Sequence, residues 1–109
     1  MGPADVEVVL HFLPTSEGGR KGPCRAVAGS WRPLCDMGRS DGLNGVAVEF
    51  IGRELAAPGD TVSARLWFLS PELQRCRLFQ GMTFRVHEAQ VVAHGRIETV
   101  LNAAMARQD

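Results

Sequence analysis

The side chains best suited to catalysis or metal binding are three cysteines and three histidines. Cys24 and Cys35 lack Cys-x-x-Cys spacing, while His11, His87 and His94 fall on separate predicted strands. A zinc site would require such groups to converge in a tetrahedral arrangement. A catalytic thiol would require a neighbouring base and a depressed pKa. The spacing indicates neither, so we expect no metal, no cofactor and no enzyme activity.

A glycine-rich basic run at residues 18–22 invites comparison with a phosphate-binding loop. Such a loop reads Gly-x-x-x-x-Gly-Lys-(Ser/Thr), so that backbone amides and a lysine hold the phosphates. Here Lys21 is followed by Gly22, and no buried strand precedes the run. We interpret it as a turn between strands and expect no bound nucleotide.

Alternation of apolar and polar residues in five segments predicts strands with one buried face. Gly and Pro separate the segments, and Pro58-Gly59-Asp60 is typical of a turn. No amphipathic helix is indicated, which favours an all-β barrel or sandwich. The predicted inward sets are Val6, Val8, Leu10 and Phe12; Val46, Val48 and Phe50; Val62, Ala64, Leu66 and Phe68; Met82, Phe84 and Val86; and Val91, Ala93, Ile97 and Leu101.

Other parts of the chain are less regular. Residues 18–45 are rich in turn formers, so we expect long loops there, with one irregular strand near Trp31. The segment 102–109 is too short for a stable helix by itself, so it either frays or contacts a partner.

Size and charge limit the number of domains and the kinds of partner that we expect. A chain of 109 residues has room for a single domain with its own core. Twelve acidic residues balance twelve basic ones, so no overall field draws the protein to nucleic acid or to an anionic membrane. An odd, sparse set of cysteines fits a reducing compartment. With no export signal and no membrane-spanning run in the sequence, we expect a cytoplasmic protein.

Two clusters of residues stand out in the chain. The first contains Glu17-Gly18-Gly19-Arg20, Pro23 and Trp31-Arg32-Pro33. The second contains Gly59-Asp60-Thr61-Val62, Pro71, Gly81-Met82-Thr83-Phe84-Arg85-Val86-His87-Glu88 and Val92-Ala93-His94-Gly95. Both clusters, in this order, resemble the C-terminal barrel, or domain 3, of the elongation factor Tu family. The second cluster differs by Ala89-Gln90 where the family has Gly-Gly, and by Ala93 where it has Gly. The first is followed by Leu34 where the family has Gln.

The resemblance implies a single antiparallel β-barrel of about six strands. The predicted domain covers residues 1–109, with a core at about residues 6–101 and a short tail at 102–109. In the family the first cluster lies where the barrel meets the GTPase domain, whereas these 109 residues contain no nucleotide-binding motif.

A first candidate surface would therefore bind a protein. Exposed arginine and aromatic side chains are typical of binding hot spots. The alternative is structural: Trp31 would cap the open end of the barrel, and Arg20 and Arg32 would pair with Asp36 or Glu17. The candidate residues are Gly18, Gly19, Arg20, Trp31, Arg32 and Pro33.

A second candidate surface would bind RNA, since arginines can hold phosphates while an aromatic ring stacks on a base. The family's barrel touches the T-arm side of aminoacyl-tRNA. A salt-bridged, solvated wall is the competing interpretation, because Glu7, Glu49, Glu88 and Glu98 lie close in sequence. The candidate residues share the outward parity: Arg65, Trp67, Arg85, His87 and Arg96, with His94 beside them.

We therefore expect a non-enzymatic, bacterial-type binding module. Its partner would be a protein linked to translation, or a toxin for which it acts as a decoy or immunity factor. An RNA- or tRNA-binding barrel is the alternative. The sequence indicates no oligomeric state.

Overall fold

A computed structural model describes residues 2–108, so Met1 and the last residue of the predicted tail, Asp109, lie outside the described part. The described chain contains three short 3-10 helices, at Thr15–Glu17, Pro71–Gln74 and Ala103–Met105. Its strands are β1 (Val6–Phe12), β2 (Cys24–Arg25), β3 (Leu34–Asp36), β4 (Asn44–Phe50), β5 (Leu55–Ala56), β6 (Thr61–Phe68), β7 (Thr83–His87) and β8 (Val91–Val100).

Six of these strands close into an antiparallel barrel in the order β1-β6-β4-β3-β7-β8, with β8 pairing back to β1. The predicted all-β class and six-strand barrel are confirmed. β2 and β5 form a separate two-stranded sheet that the sequence pattern did not predict. In place of the irregular strand predicted near Trp31, the structure has a single antiparallel bridge between Trp31 and Val48. No helix among residues 2–108 is long and apolar enough to cross a membrane.

The barrel interior is filled by the alternate side chains that the period of two predicts. All four inward residues predicted for β1 and all four predicted for β6 are buried, as are the three predicted for β4. Phe84 and Val86 of β7 are also buried, and Met82, just before that strand, packs against the core while partly exposed.

The last strand departs from simple alternation because it contains a β-bulge. Its register with β1 shifts at Glu98, which has no residue directly opposite. Beyond the bulge Val100 packs against the core and Leu101 is 45% exposed. The predicted inward position of Leu101 is wrong, because one extra residue in a strand moves the following side chains to the other face.

A second irregularity lies at the beginning of the same strand. The pairing of β7 with β8 shifts between Val86 and His87. As a result Val92 is buried, whereas Val91 is only partly buried. The predicted inward position of Val91 is corrected for the same reason.

The C-terminal segment closes the end of the barrel at which β6 terminates. Met105 is 1% exposed and packs in the core beside Leu78. The Leu78 amide donates to the Met105 carbonyl at 2.8 Å, and the Arg107 amide donates to the Leu78 carbonyl at 2.7 Å. The segment was expected to fray or to contact a partner. The described part of this segment packs on its own barrel instead, because burial of the apolar Met105 side chain stabilises the folded state.

Asp5, just before β1, joins the segment after β8 to the end of β6. Its backbone carbonyl accepts hydrogen bonds from the Leu101 and Asn102 amides at 2.9 and 3.0 Å. Its carboxylate accepts from the Phe68 amide at 2.8 Å and from Nδ2 of Asn102 at 3.0 Å. These bonds satisfy a carboxylate that belongs to a nearly buried residue.

Candidate functional site

The loop after β1 places the Glu-Gly-Gly-Arg residues through local backbone constraints. Gly18 ends the first 3-10 helix with a φ of 89°, a left-handed conformation that favours glycine. A side chain at Gly19 would place its Cβ 2.1 Å from the carbonyl oxygen of Leu13. The hydroxyl of Thr15 donates to the Arg20 carbonyl at 2.6 Å. Both glycines are thus required for the turn that positions Arg20.

Three residues that are distant in sequence meet at the end of the barrel. The Arg20 guanidinium forms a salt bridge with Oε2 of Glu88, and Nε1 of Trp31 donates to the same oxygen at 3.1 Å. We call Arg20, Trp31 and Glu88 the Glu88 cluster. The guanidinium also donates to the carbonyls of Gly22 and Pro23 at 3.3 and 3.2 Å. Arg20 is therefore held in one orientation by several acceptors.

Trp31 connects this cluster to the core. Its ring centroid lies 5.6 Å from that of Phe12 and 6.2 Å from that of Phe50, and Phe12 and Phe50 meet edge to face. These are the terminal residues of β1 and β4. Trp31 remains partly exposed, with its indole N–H directed to Glu88. The residue therefore covers this end of the barrel and also contributes to its surface.

Basic side chains flank the cluster without acidic partners. Lys21 and Arg32 are exposed, and neither takes part in a salt bridge within residues 2–108. They follow directly after Arg20 and Trp31 in the chain, so they lie next to the two residues that share the Glu88 oxygen. Pro33, the last of the predicted set, is buried. The accessible part of the surface thus carries Lys21 and Arg32 beside the partly exposed Trp31, together with the exposed carboxylates of Glu17 and Glu88.

The expected salt-bridge partners of this region need correction. Arg20 pairs with Glu88 rather than with Glu17 or Asp36, and Arg32 pairs with neither. The closed barrel brings the turn after β7 next to the loop after β1, which local sequence does not reveal. Glu88 belongs to the second motif cluster, and its position directly after an alternating strand is the sequence signal for its role.

The candidate RNA-binding residues are spread around the barrel. Arg65 and Trp67 lie on β6, whereas Arg85 and His87 lie on β7. Two strands separate β6 from β7 in either direction around the barrel. Arg96 lies on β8. These residues therefore do not form one compact face.

The arginines of that set are also engaged with carboxylates. Their salt bridges are Arg65 with Glu7 at 3.4 Å, Arg85 with Asp36 at 2.7 Å and Arg96 with Glu98 at 2.6 Å.

Two further contacts involve members of that set. A hydrogen bond from the Gly38 amide, and then the Arg85 guanidinium, hold the pKa of Asp36 below its usual range. Trp67 donates its indole N–H to the Gly2 carbonyl at 2.8 Å. The carboxylate of Asp36 and the indole of Trp67 are thus already engaged in contacts within the protein.

The structure buries two of the three cysteines and exposes the third. Burial raises the pKa of Cys24 to about 11 and that of Cys35 to about 12, so both thiols stay protonated near neutral pH. Cys76 is exposed. No group of three or more His, Cys, Asp or Glu side chains within residues 2–108 is placed to hold a metal ion.

No model of a known protein family matches this chain, and no curated protein sequence matches it significantly. A closed six-strand antiparallel barrel is compatible with the kind of domain that the motif resemblance implies.

Proposed function

We propose that this protein is a non-enzymatic binding module, similar to the third domain of elongation factor Tu, which docks on a protein partner through the barrel end that carries the Glu88 cluster. One observation carries the proposal. Residues from both motif clusters, Arg20 and Trp31 from the first and Glu88 from the second, meet at a single carboxylate oxygen. The two motif clusters, which are separate in the sequence, therefore contribute to one surface.

The rigidity of this surface supports a docking role. Arg20 is held by three acceptors, and Trp31 is held by Glu88 and by two aromatic rings. A side chain that is already ordered loses less conformational entropy when a partner binds. Tryptophan and arginine are also the residue types that contribute most binding free energy at protein interfaces.

The charge of the surface indicates the kind of partner. Lys21 and Arg32 are exposed and have no salt bridge within the described chain. An acidic protein surface would complement them and would accelerate association. The family resemblance suggests a translation component, or a toxin that grips the elongation factor and is intercepted by this protein.

RNA binding is the less favoured alternative. Its candidate arginines already have carboxylate partners, so a phosphate would have to displace Glu7, Asp36 or Glu98. Phosphate contacts make affinity fall steeply with salt. Retention of tRNA at low salt that disappears at moderate salt would therefore favour RNA.

The test is affinity capture from bacterial lysate, with and without nuclease, followed by mass spectrometry. The bait is the wild-type protein, Arg32→Glu or Arg75→Glu. Arg75 is also exposed and has no salt bridge among residues 2–108, but it lies by the second 3-10 helix at the opposite end of the barrel. We expect a nuclease-resistant partner that Arg32→Glu loses and Arg75→Glu keeps.

Arg20 and Trp31 themselves are poor first targets because both also support the fold. Trp31→Phe is the suitable follow-up, since it keeps a smaller aromatic ring against Phe12 and Phe50 and removes the indole N–H that donates to Glu88. Equal capture by Arg32→Glu and Arg75→Glu would remove the support for docking at this end, and a partner lost only with nuclease would favour RNA.

A further inference from the structure

Two histidines that are far apart in sequence face each other on the barrel wall. His11 of β1 and His94 of β8 are directly opposite in the antiparallel register, and both are exposed. Directly opposite residues have Cβ atoms about 4.5–5.5 Å apart. Two imidazoles at that separation can turn toward one point in front of the sheet.

A neighbouring hydroxyl orients one of the two rings. Nδ1 of His11 lies 2.9 Å from Oγ1 of Thr61, the residue opposite it on β6. When Nδ1 donates its proton to this hydroxyl, the lone pair of Nε2 is left for a ligand. Histidines that bind metals commonly hold their second ring nitrogen in this way.

The two arginines near this histidine pair each form a salt bridge with a carboxylate. Arg85, opposite His94 on β7, is bound to Asp36 at 2.7 Å. Arg96, two residues after His94 on the same strand, is bound to Glu98 at 2.6 Å. Repulsion of an incoming cation is therefore reduced by two carboxylates close to the arginines.

We propose that His11 and His94 form a surface site for a divalent transition metal such as Ni²⁺, Cu²⁺ or Zn²⁺. Imidazole is a preferred ligand of these ions. The protein supplies two ligands, because no larger group of metal-binding side chains is present within residues 2–108, and water completes the coordination. The site uses no residue of the Glu88 cluster, so it is independent of the proposed docking function.

The test is calorimetric titration of untagged protein with Ni²⁺ and with Zn²⁺ in a non-chelating buffer at about pH 7.5, where ordinary histidines are mostly neutral. We expect one ion per molecule. His11→Ala and His94→Ala should each abolish the binding, while His87→Gln, which alters a histidine outside the pair, should keep it. Both targets are exposed, so their replacement should leave the fold intact.

Two further measurements separate this site from adventitious binding. Thr61→Val should weaken the metal affinity by about tenfold, because the ring of His11 loses its orienting partner. Metal should raise the melting temperature of the wild type but not of His94→Ala, since it bridges β1 and β8. No binding by the wild type, or metal binding by His11→Ala or His94→Ala as tight as that of the wild type, would overturn the proposal.

Discussion

At the scale of single residues, Glu88 shows how one carboxylate can organise a surface. Its Oε2 accepts from a guanidinium and from an indole, and the side chain is 33% exposed. Charge-assisted hydrogen bonds of this kind are stronger than neutral ones, although solvent reduces their contribution. The gain is mainly positional, because Arg20 and Trp31 are each restricted to one orientation.

Thiol reactivity provides a residue-scale prediction. With Ellman's reagent at about pH 8, near the pKa of an ordinary thiol, one thiol per molecule should react promptly. This is Cys76, which is exposed, whereas Cys24 and Cys35 are buried with pKa values raised to about 11 and about 12. Absorbance at the end of the rapid phase measures the count.

The control for this prediction is Cys76→Ser, which should show no rapid reaction in its native state. Both remaining thiols should react once the protein is unfolded in guanidinium chloride. Rapid modification of two or three thiols in the native wild type would contradict the described burial of Cys24 and Cys35.

At the scale of elements, glycine decides where backbone segments approach closely. Gly95 of β8 lies under the ring of Phe84 on β7, where an added Cβ would come within 2.2 Å of the ring. In the turn between β7 and β8, neither Ala89 nor Gln90 has a positive φ. The turn therefore needs no glycine, whereas the contact between β7 and β8 does.

The loop after β1 gives an element-scale prediction. Gly19→Ala should lower the free energy of unfolding by about 1–3 kcal/mol, because overpacking forces the backbone apart. The new Cβ would meet the carbonyl oxygens of Leu13 and Pro14, which cannot move away as a side-chain end can. Urea unfolding measures the change.

Gly22→Ala is the matched control from the same loop. Nothing lies within 4 Å of an added Cβ at Gly22, and its φ is not positive. We expect a change within about 0.5 kcal/mol. Equal losses from the two substitutions would contradict this explanation, because the close approach exists at Gly19 and not at Gly22.

At the scale of the whole molecule, the segments near both ends of the described chain pack on the barrel. Asp5 binds the end of β6 and the segment after β8, and Met105 fills the core at the same end. The opposite end carries Trp31 and the Glu88 cluster. The molecule thus has one end closed by its own C-terminal segment and one end that presents basic and aromatic groups.

Replacement of the C-terminal closure provides a whole-molecule prediction. Met105→Ala should lower the free energy of unfolding by about 2–5 kcal/mol, because it removes buried methylene groups and leaves a cavity. Leu101→Ala, at a position 45% exposed, should change it by no more than about 0.5 kcal/mol. Chemical denaturation of both variants gives the comparison.

This pair also tests the bulge in β8. If Leu101 faced the interior, as simple alternation predicts, its replacement would be as costly as that of Met105. A loss for Leu101→Ala as large as that for Met105→Ala would contradict the described packing of this end.

From the sequence alone follow the all-β class and most of the inward-facing residues. Alternation is a local property of period two, so the buried faces of β1, β4 and β6 can be predicted without knowing which strands are neighbours. The same pattern failed at Val91 and Leu101, because a bulge adds one residue without a local signal strong enough to predict it.

Only the tertiary structure decided which side chains meet. Arg20 and Trp31 reach Glu88 across 68 and 57 positions of the chain, and His11 faces His94 through the pairing of the first barrel strand with the last. Such contacts depend on strand order, register and closure of the barrel. These arise from packing the whole core at once, so no local run of residues encodes them.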